Sequence, residues 1–273
     1  MKSCICFLFL LPLAAFAQTS WTGASDGITW DDAGNWNPAS VPVLTTNVVI
    51  DVTPPVGLAG ELYAADRVIG LTNAGSNTIQ SLQFGSDLTD TVKIIPLSSE
   101  TLQVNGSITN SSSFTNVFAL PVYAGASATW TGPLTYANTV NINANTITLV
   151  GTHNFTGTDL DFTISNSTLA GYGHFVGSFT LNFSGTINID ATAYASSAVA
   201  GDTFDFTTGS FTGATFHPSS LPSLSSGLAW DTSNFISSGV LSVVSAIPEP
   251  SAYAAIFGAA AIGFGLWRKR RKA

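Results

Sequence analysis

Two carboxylates, Asp159 and Asp161, have the spacing closest to that of a catalytic pair in this chain. Residues two apart on a β-strand lie on one face, and two carboxyl groups there can act as acid and base in polysaccharide hydrolysis. Asp202 and Asp205 form another close pair. Enzymes that act on acidic sugars also use cations, and only two basic residues lie between residues 18 and 247. Paired acids on a strand more often face solvent, so the sequence predicts a protein that is not an enzyme.

Candidate metal ligands are few. A calcium ion could bind the oxygen-rich set Asp26, Asp31, Asp32 and Asn35, but their spacing matches neither an EF-hand nor the glycine-rich nonapeptides of calcium-binding β-rolls. Turn formation, in which Asp and Asn bond nearby backbone, is the commoner use of such residues. The histidines stand singly in the sequence: His153, His174 and His217. We therefore predict no metal site and no cofactor.

Three tryptophans, Trp21, Trp30 and Trp36, lie close together near the N-terminus. Exposed indole rings could stack on sugars and form a lectin-like platform. Alternatively, large aromatic side chains could cover the open end of a stack of β-coils, because the first coil has no neighbour on one side. Burial is the commoner use of aromatic residues. The sequence therefore favours the covering role and keeps glycan stacking at these residues as the alternative.

The charge of the central segment restricts its partners. Between residues 18 and 247 there are 15 acidic residues, against only Arg67 and Lys93. Nucleic-acid binding depends on Lys and Arg that neutralise phosphates, so nucleic acid is excluded as a partner. The few charges, the many Thr, Ser, Asn and Gly residues, and the regular Val, Ile, Leu and Phe residues together indicate an extracellular β-rich protein.

From about residue 77, short runs alternate apolar and polar residues and are separated by Gly, Asn and Ser. Segments 79–84, 140–149 and 160–164 are examples. Such alternation predicts strands with one buried face, and the runs recur about every 20 residues, close to one coil of a parallel β-helix. We predict an all-β fold with a β-solenoid ectodomain; an antiparallel β-sandwich is the alternative.

The N-terminus has the pattern of a secretory signal peptide. A lysine precedes an apolar run that ends in the small residues Ala15 and Ala17, so we predict cleavage after Ala17 by signal peptidase. The run is too short, and lacks the flanking charges, for a retained membrane helix. Both cysteines, Cys4 and Cys6, lie in the removed segment. The mature chain would therefore contain neither disulfides nor thiolates.

The C-terminal part of the chain has three consecutive blocks. The first is Pro248, Glu249 and Pro250, in which the prolines fix φ and lack N–H donors, so the strip stays extended. The uncharged block 251–267 would be about 25 Å long as a helix, and we predict a transmembrane helix over 252–267. A basic cluster follows: Arg268, Lys269, Arg270, Arg271 and Lys272. Such a cluster stops transfer through the lipid bilayer and favours the cytoplasmic side.

The order of these three blocks closely resembles the PEP-CTERM sorting signal of Gram-negative bacteria. In that family the signal is recognised by exosortase, a membrane-embedded cysteine protease or transpeptidase. The resemblance implies that Pro248, Glu249 and Pro250 form the processing motif and act as substrate features. It also implies a biofilm-forming envelope that is rich in exopolysaccharide.

A second resemblance covers the segment 167–189. Its Leu-x-Gly-x-Gly start and its later Thr-Leu and Ser-Gly-Thr-Ile groups are similar to the coils of autotransporter-associated β-helical repeats. Glycine permits the tight corners between short strands. The resemblance therefore supports the β-solenoid prediction for the ectodomain.

Together these patterns divide the chain into five parts. We predict a signal peptide (1–17), an aromatic-rich cap with the first strands (18–75), solenoid-like repeats (76–190), a membrane-proximal β capping region (191–247) and the sorting signal (248–273). The predicted product is an exported protein with a single membrane anchor before processing, which then reaches the cell surface or the extracellular matrix. Its predicted role is structural or adhesive, with exopolysaccharide as the partner; the alternatives are a lectin-like module and a polysaccharide hydrolase.

Overall fold

The computed structural model describes residues 17–55, 67–72, 76–246, 257–258 and 262. The strands are, in chain order, β1 (Ala17–Trp21), β2 (Trp36–Asn37), β3 (Thr46–Ile50), β4 (Arg67–Leu71), β5 (Ser76–Ile79), β6 (Ser81–Phe84), β7 (Val92–Pro96), β8 (Thr101–Val104), β9 (Ile108–Asn110), β10 (Asn116–Phe118), β11 (Val122–Ala124), β12 (Ala128–Thr131), β13 (Leu134–Tyr136), β14 (Val140–Asn143), β15 (Thr146–Thr163), β16 (His174–Asp190), β17 (Thr203–Asp205), β18 (Thr215–Phe216), β19 (Leu228–Asp231) and β20 (Val240–Ser245). Between residues 17 and 246 the described short helical pieces are α1 (Phe235–Ser238) and the 3-10 turns Ala33–Asn35, Leu169–Gly171, Ala195–Ser197 and Pro218–Ser220.

Most strands of the larger sheet form three parallel columns. In column A, β3 pairs with β6, β6 with β9, β9 with β12, and β12 with the start of β15. Column B contains β4, β7, β10, β13 and the middle of β15. Column C contains β5, β8, β11, β14 and the end of β15. Each strand from β3 to β11 therefore pairs with the strand three positions later in the chain, so the backbone passes through all three columns in each coil.

The coils differ in length but keep their side chains aligned. Leu82, Ile108, Trp130 and Leu149 are paired in succession along column A, and their numbering shows that each of these coils is shorter than the one before it. All four side chains are buried. The buried row therefore keeps its register, and the differences in coil length are absorbed by the segments between the columns.

The last two coils are continuous strands that turn corners without a break. β15 and β16 pair in parallel from Thr146 and His174 to Thr163 and Asp190. At the first corner Gly151 has a φ of 90°, and a Cβ atom there would lie 3.1 Å from the carbonyl oxygen of Gly132. Only glycine adopts this backbone conformation without strain, so this corner depends on a residue without a side chain.

Aromatic side chains form a row through the core along column B. Phe118, Tyr136, Phe155 and Phe183 occupy successive paired positions. Neighbouring rings in this row are stacked, with centroids 5.5, 4.7 and 5.6 Å apart. All four are buried, so stacked rings connect four consecutive coils through the interior.

Different structures lie at the two ends of the columns. At the N-terminal end, β1 pairs with β3 in parallel and with β2 in antiparallel orientation. At the C-terminal end, β17, β20 and β19 form a separate antiparallel sheet. From this C-terminal region the rings of Phe206 and Phe211 pack on Phe162 of β15, at centroid distances of 4.9 and 5.9 Å. These contacts cover the apolar interior at the C-terminal end of the columns.

The all-β prediction is confirmed. The large sheet is mostly parallel: among the strand pairings described for it, only that of β1 with β2 is antiparallel. These pairings do not match the antiparallel sandwich that was the alternative prediction. The reason is that each alternating run pairs with the equivalent run of the next coil and not with its neighbour in sequence.

Both predicted targeting segments fall largely outside the described residues. This applies to residues 1–16, which include Ala15, to the processing motif 248–250 and to the basic cluster 268–272. Within the predicted helix 252–267 the structure describes 257, 258 and 262, which are helical. Across the described ranges, no helix combines the length and apolar character needed to span a bilayer.

Candidate functional site

The three N-terminal tryptophans do not form a sugar-binding platform. Trp21, Trp30 and Trp36 have only 1%, 0% and 3% of their surface exposed. The ring of Trp36 lies 4.9 Å from that of Trp21 and 4.8 Å from that of Trp30, in edge-to-face packing, and its Nε1 donates to the carbonyl oxygen of Trp30 at 2.6 Å. Sugar stacking needs an exposed ring face, so the glycan-stacking alternative for these residues is wrong.

The oxygen-rich segment beside the tryptophans is used to bond the chain to itself. Asp26 accepts from the backbone N–H groups of Ile28 and Thr29, both at 2.9 Å, and from Nδ2 of Asn35 at 2.6 Å. Burial raises the pKa of Asp26, but these bonds and that of the Thr29 hydroxyl outweigh it and lower the pKa to about 2. Asp31 accepts from the backbone and hydroxyl of Thr72, at 2.7 and 2.8 Å. These contacts are the turn chemistry that the sequence favoured over calcium binding.

Asn35 is the centre of this loop, and its removal is expected to be costly. Its buried amide accepts from the N–H groups of Ser25 and Gly27, both at 3.0 Å, and donates to Asp26 and to the carbonyl oxygen of Thr29. We expect Asn35→Ala to lower the free energy of unfolding by about 2–4 kcal/mol, because several polar groups lose their partners. Urea unfolding measures this, with exposed Asn37→Ala as the control. A loss for Asn35→Ala no larger than that of an ordinary surface substitution, about 0.5 kcal/mol, would contradict its central role.

Two of the three histidines are buried separately. His153 contacts the hydroxyl of Tyr136, and His174 lies near the hydroxyl of Thr146 at 3.2 Å. In the described parts of the chain, no group of three or more His, Cys, Asp or Glu side chains is arranged to hold a metal ion. His153 and His174 therefore contribute to packing and hydrogen bonding in the interior.

The outer surface of column C carries an aligned row of polar side chains, which we call the polar face. It consists of Gln103, Tyr123, Asn141, Asp161 and Asn188, which are paired in succession from β8 to β16. Neighbouring strands in a sheet are about 4.8 Å apart. The polar face therefore presents amide, phenol and carboxylate groups at regular intervals over five coils.

Asp161 is the most perturbed group on the polar face. Its carboxylate accepts from Nδ2 of Asn188 at 2.9 Å. Partial burial raises its pKa; the bond from Asn188 lowers it and repulsion from Asp159 raises it, and the net shift is upward. Asp159 and Asp161 thus lie close enough to repel, as the sequence indicated. Asp159 itself pairs with Thr186 where the register between β15 and β16 shifts, and it is exposed.

A second aligned polar row lies on the outside of column B. Asn154 donates to the hydroxyl of Thr135 at 3.2 Å, and Asn182 donates to the amide oxygen of Asn154 at 2.7 Å. The alignment of Tyr123 and Gln103 on the polar face, and that of Asn154 and Asn182 in the second row, were not evident from the sequence. The outward positions of the alternating runs were visible, but their alignment depends on pairing between coils that differ in length.

The polar face can hydrogen-bond sugar hydroxyls because amides and hydroxyls both donate and accept. Among its five residues only Asp161 is ionisable near neutral pH. In comparisons with known proteins, no protein family, curated protein or solved structure matches the chain.

Proposed function

We propose that this chain is an exported β-solenoid protein of the bacterial surface or extracellular matrix, with a structural or adhesive role toward exopolysaccharide. The observation that carries the proposal is the polar face on parallel, stacked coils. A regular row of polar donors and acceptors, of which only Asp161 is acidic, suits the repeated hydroxyl groups of a polysaccharide, because both repeat along one axis. The assignment to the solenoid class is supported by the three columns, in which each coil pairs with the next.

Export and sorting form the second part of the proposal. The C-terminal blocks resemble the PEP-CTERM signal, so an exosortase-type enzyme would recognise Pro248, Glu249 and Pro250 and process the chain near them. The helix 252–267 and the basic cluster 268–272 would hold the precursor in the inner membrane with its ectodomain outside. Release from this anchor would place the solenoid at the cell surface or in the extracellular matrix.

We expect the chain from cells that contain the sorting enzyme to lack its C-terminal tail, and the chain from cells without that enzyme to retain it. Mass spectrometry of the intact protein from both cell types measures the difference. Replacing Pro248 and Pro250 together by Ala should leave the tail uncut, because the helix could then extend into the strip that the protease must bind. If the tail has the same mass in both cell types, the C-terminal segment is only a membrane anchor and the sorting proposal is wrong.

A hydrolase that uses Asp159 and Asp161 is the second candidate. The observation in its favour is the raised pKa of Asp161 beside a second carboxylate, since a general acid needs a carboxyl group that holds its proton. Incubation with polysaccharides and measurement of new reducing ends distinguishes this candidate from adhesion. Release of product by the wild type that is lost in Asp161→Asn would favour the hydrolase, and binding without release would favour the adhesive role.

A further inference from the structure

A shallow cleft lies on the outer surface where β15 and β16 turn from column A toward column B. Its volume is about 280 Å³, and its lining consists of Gly151, Thr152, Ser178, Phe179 and Thr180. The lining thus combines one aromatic ring with three hydroxyl groups and contains no ionisable side chain. The cleft is thus mainly polar, with Phe179 as its single aromatic residue.

The ring of Phe179 is bordered by glycine on both sides. In the pairing of β15 with β16, Phe179 lies beside Gly151, which has no side chain to cover it. Toward the C-terminal region the neighbour is Gly209, where a Cβ atom would lie 3.6 Å from Cε2 of Phe179. Phe179 is partly exposed, unlike the fully buried rings of the core such as Phe155 and Phe175. The ring packs partly against the core, and its remaining exposed part is the aromatic component of the cleft lining.

We propose that this cleft binds one sugar ring of a neutral polysaccharide. The C–H face of a sugar ring would stack on Phe179, because the face of an aromatic ring is electron-rich. The sugar's hydroxyl groups would exchange hydrogen bonds with the hydroxyls of Thr152, Ser178 and Thr180. The proposal deepens the adhesive role and rests on it: the polar face supplies extended contact, and the cleft selects the sugar.

The absence of basic residues from the described cleft lining and the acidic character of the chain indicate that the sugar is neutral. Acidic sugars are bound by Arg or Lys, and no cation is among the described residues that line the cleft. Between residues 18 and 247 the chain carries 15 acidic residues and two basic ones, so its general field repels anionic chains. A volume near the lower limit of ordinary ligand pockets also favours one ring over a longer segment.

The test uses the full-length chain in detergent and three neutral probes: cellohexaose, maltohexaose and a linear galactan hexasaccharide. Calorimetric titration should show binding to at least one of them, and no binding to an oligogalacturonate of the same length. We expect Phe179→Leu to weaken that binding about tenfold, because leucine keeps the apolar volume but lacks a flat face. Gly209→Ala should also weaken it, because the added methyl group would contact Phe179 without backbone strain.

Phe114→Leu is the matched control, since it makes the same phenylalanine-to-leucine change at another partly exposed ring, outside both the polar face and the cleft lining. It should leave the dissociation constant of the hexasaccharide within about twofold of the wild type. Thermal unfolding that matches the wild type establishes that each variant is folded. Equal affinities of wild type and Phe179→Leu, or no binding to any neutral probe, would overturn the proposal. A failure of sorting would appear separately, as an uncut tail in the mass measurement.

Discussion

Lowering the pH from 7 to 4.5 is expected to destabilise this protein through one buried histidine, His153. Burial lowers the pKa of His153 to about 4, against smaller opposing effects of hydrogen bonds to backbone groups of Val150 and Trp130. In the unfolded chain a histidine titrates near 6.5. Below that pH the unfolded state therefore binds a proton that the folded state does not, so stability is complete above pH 6.5 and falls as the pH decreases toward 4.

The expected loss between pH 7 and 4.5 is about 2–3 kcal/mol, at about 1.4 kcal/mol for each unit of pKa difference. Between pH 7 and 4.5, carboxylates with a lowered pKa keep their stabilising contribution, so the loss in this range comes from the histidine. For example, Asp26, with a pKa of about 2, stabilises the fold above its unfolded value of 3.8 and loses that contribution only below it. Urea unfolding at several pH values measures the effect.

Replacing His153 by an apolar residue removes the group that titrates. His153 lies between Leu134 and Leu181 on the neighbouring coils, so His153→Leu continues a row of leucines. We expect this variant to be more stable than the wild type at pH 4.5 and to lose less stability on acidification. Exposed His217→Gln serves as the control and should follow the wild type. Parallel losses in the wild type and His153→Leu would show that His153 is not responsible.

Phe155→Ala is expected to lower the free energy of unfolding by about 3–5 kcal/mol, the largest effect of any single change considered. Phe155 lies at the centre of the aromatic row, with its ring centroid 4.7 Å from Tyr136, 5.6 Å from Phe183 and 6.0 Å from Phe175. Truncation leaves a cavity that stacked coils cannot close, because their spacing is fixed by backbone hydrogen bonds. The midpoint of thermal unfolding should decrease by about 10 °C.

Two variants calibrate this prediction. Phe155→Leu should cost clearly less than Phe155→Ala, because it fills most of the space and loses mainly ring contacts. Phe114→Ala, at a half-buried position outside the row, should also cost less than Phe155→Ala. An equal cost for Phe114→Ala and Phe155→Ala would mean that the aromatic row has no special part in stability.

The strands could be predicted because alternation is a local property. The segment 140–149 contains an apolar residue at nearly every second position, and Val140, Ile142, Ile147 and Leu149 are all buried as that pattern requires. Parallel pairing was favoured over the sandwich through the recurrence of such runs. Exact registers were not accessible, because the coils along column A become shorter in succession and have no constant period that a repeat search could follow.

The candidate sites were harder to predict, because they depend on neighbours that are distant in sequence. The tryptophans could be grouped from sequence, but their burial depends on packing against one another and on the strands that enclose them. Phe179 looked like any apolar residue in an alternating run. Phe179 is partly exposed because its spatial neighbours on both sides, Gly151 and Gly209, have no side chains. Both glycines are distant from Phe179 in sequence and lie beside it only in the folded chain.

The unequal lengths of the coils indicate where this chain can accept insertions. Because the buried rows stay aligned while the connecting segments vary in length, peptide can be added between columns without shifting any strand. Gly157 marks such a place within β15: it lies where the register with β16 shifts, it is exposed and has a φ of 63°, and a Cβ atom there would meet nothing within 4 Å. The scaffold can thus accept inserted epitopes or binding loops at its corners and display them outward, while the stacked interior is left intact.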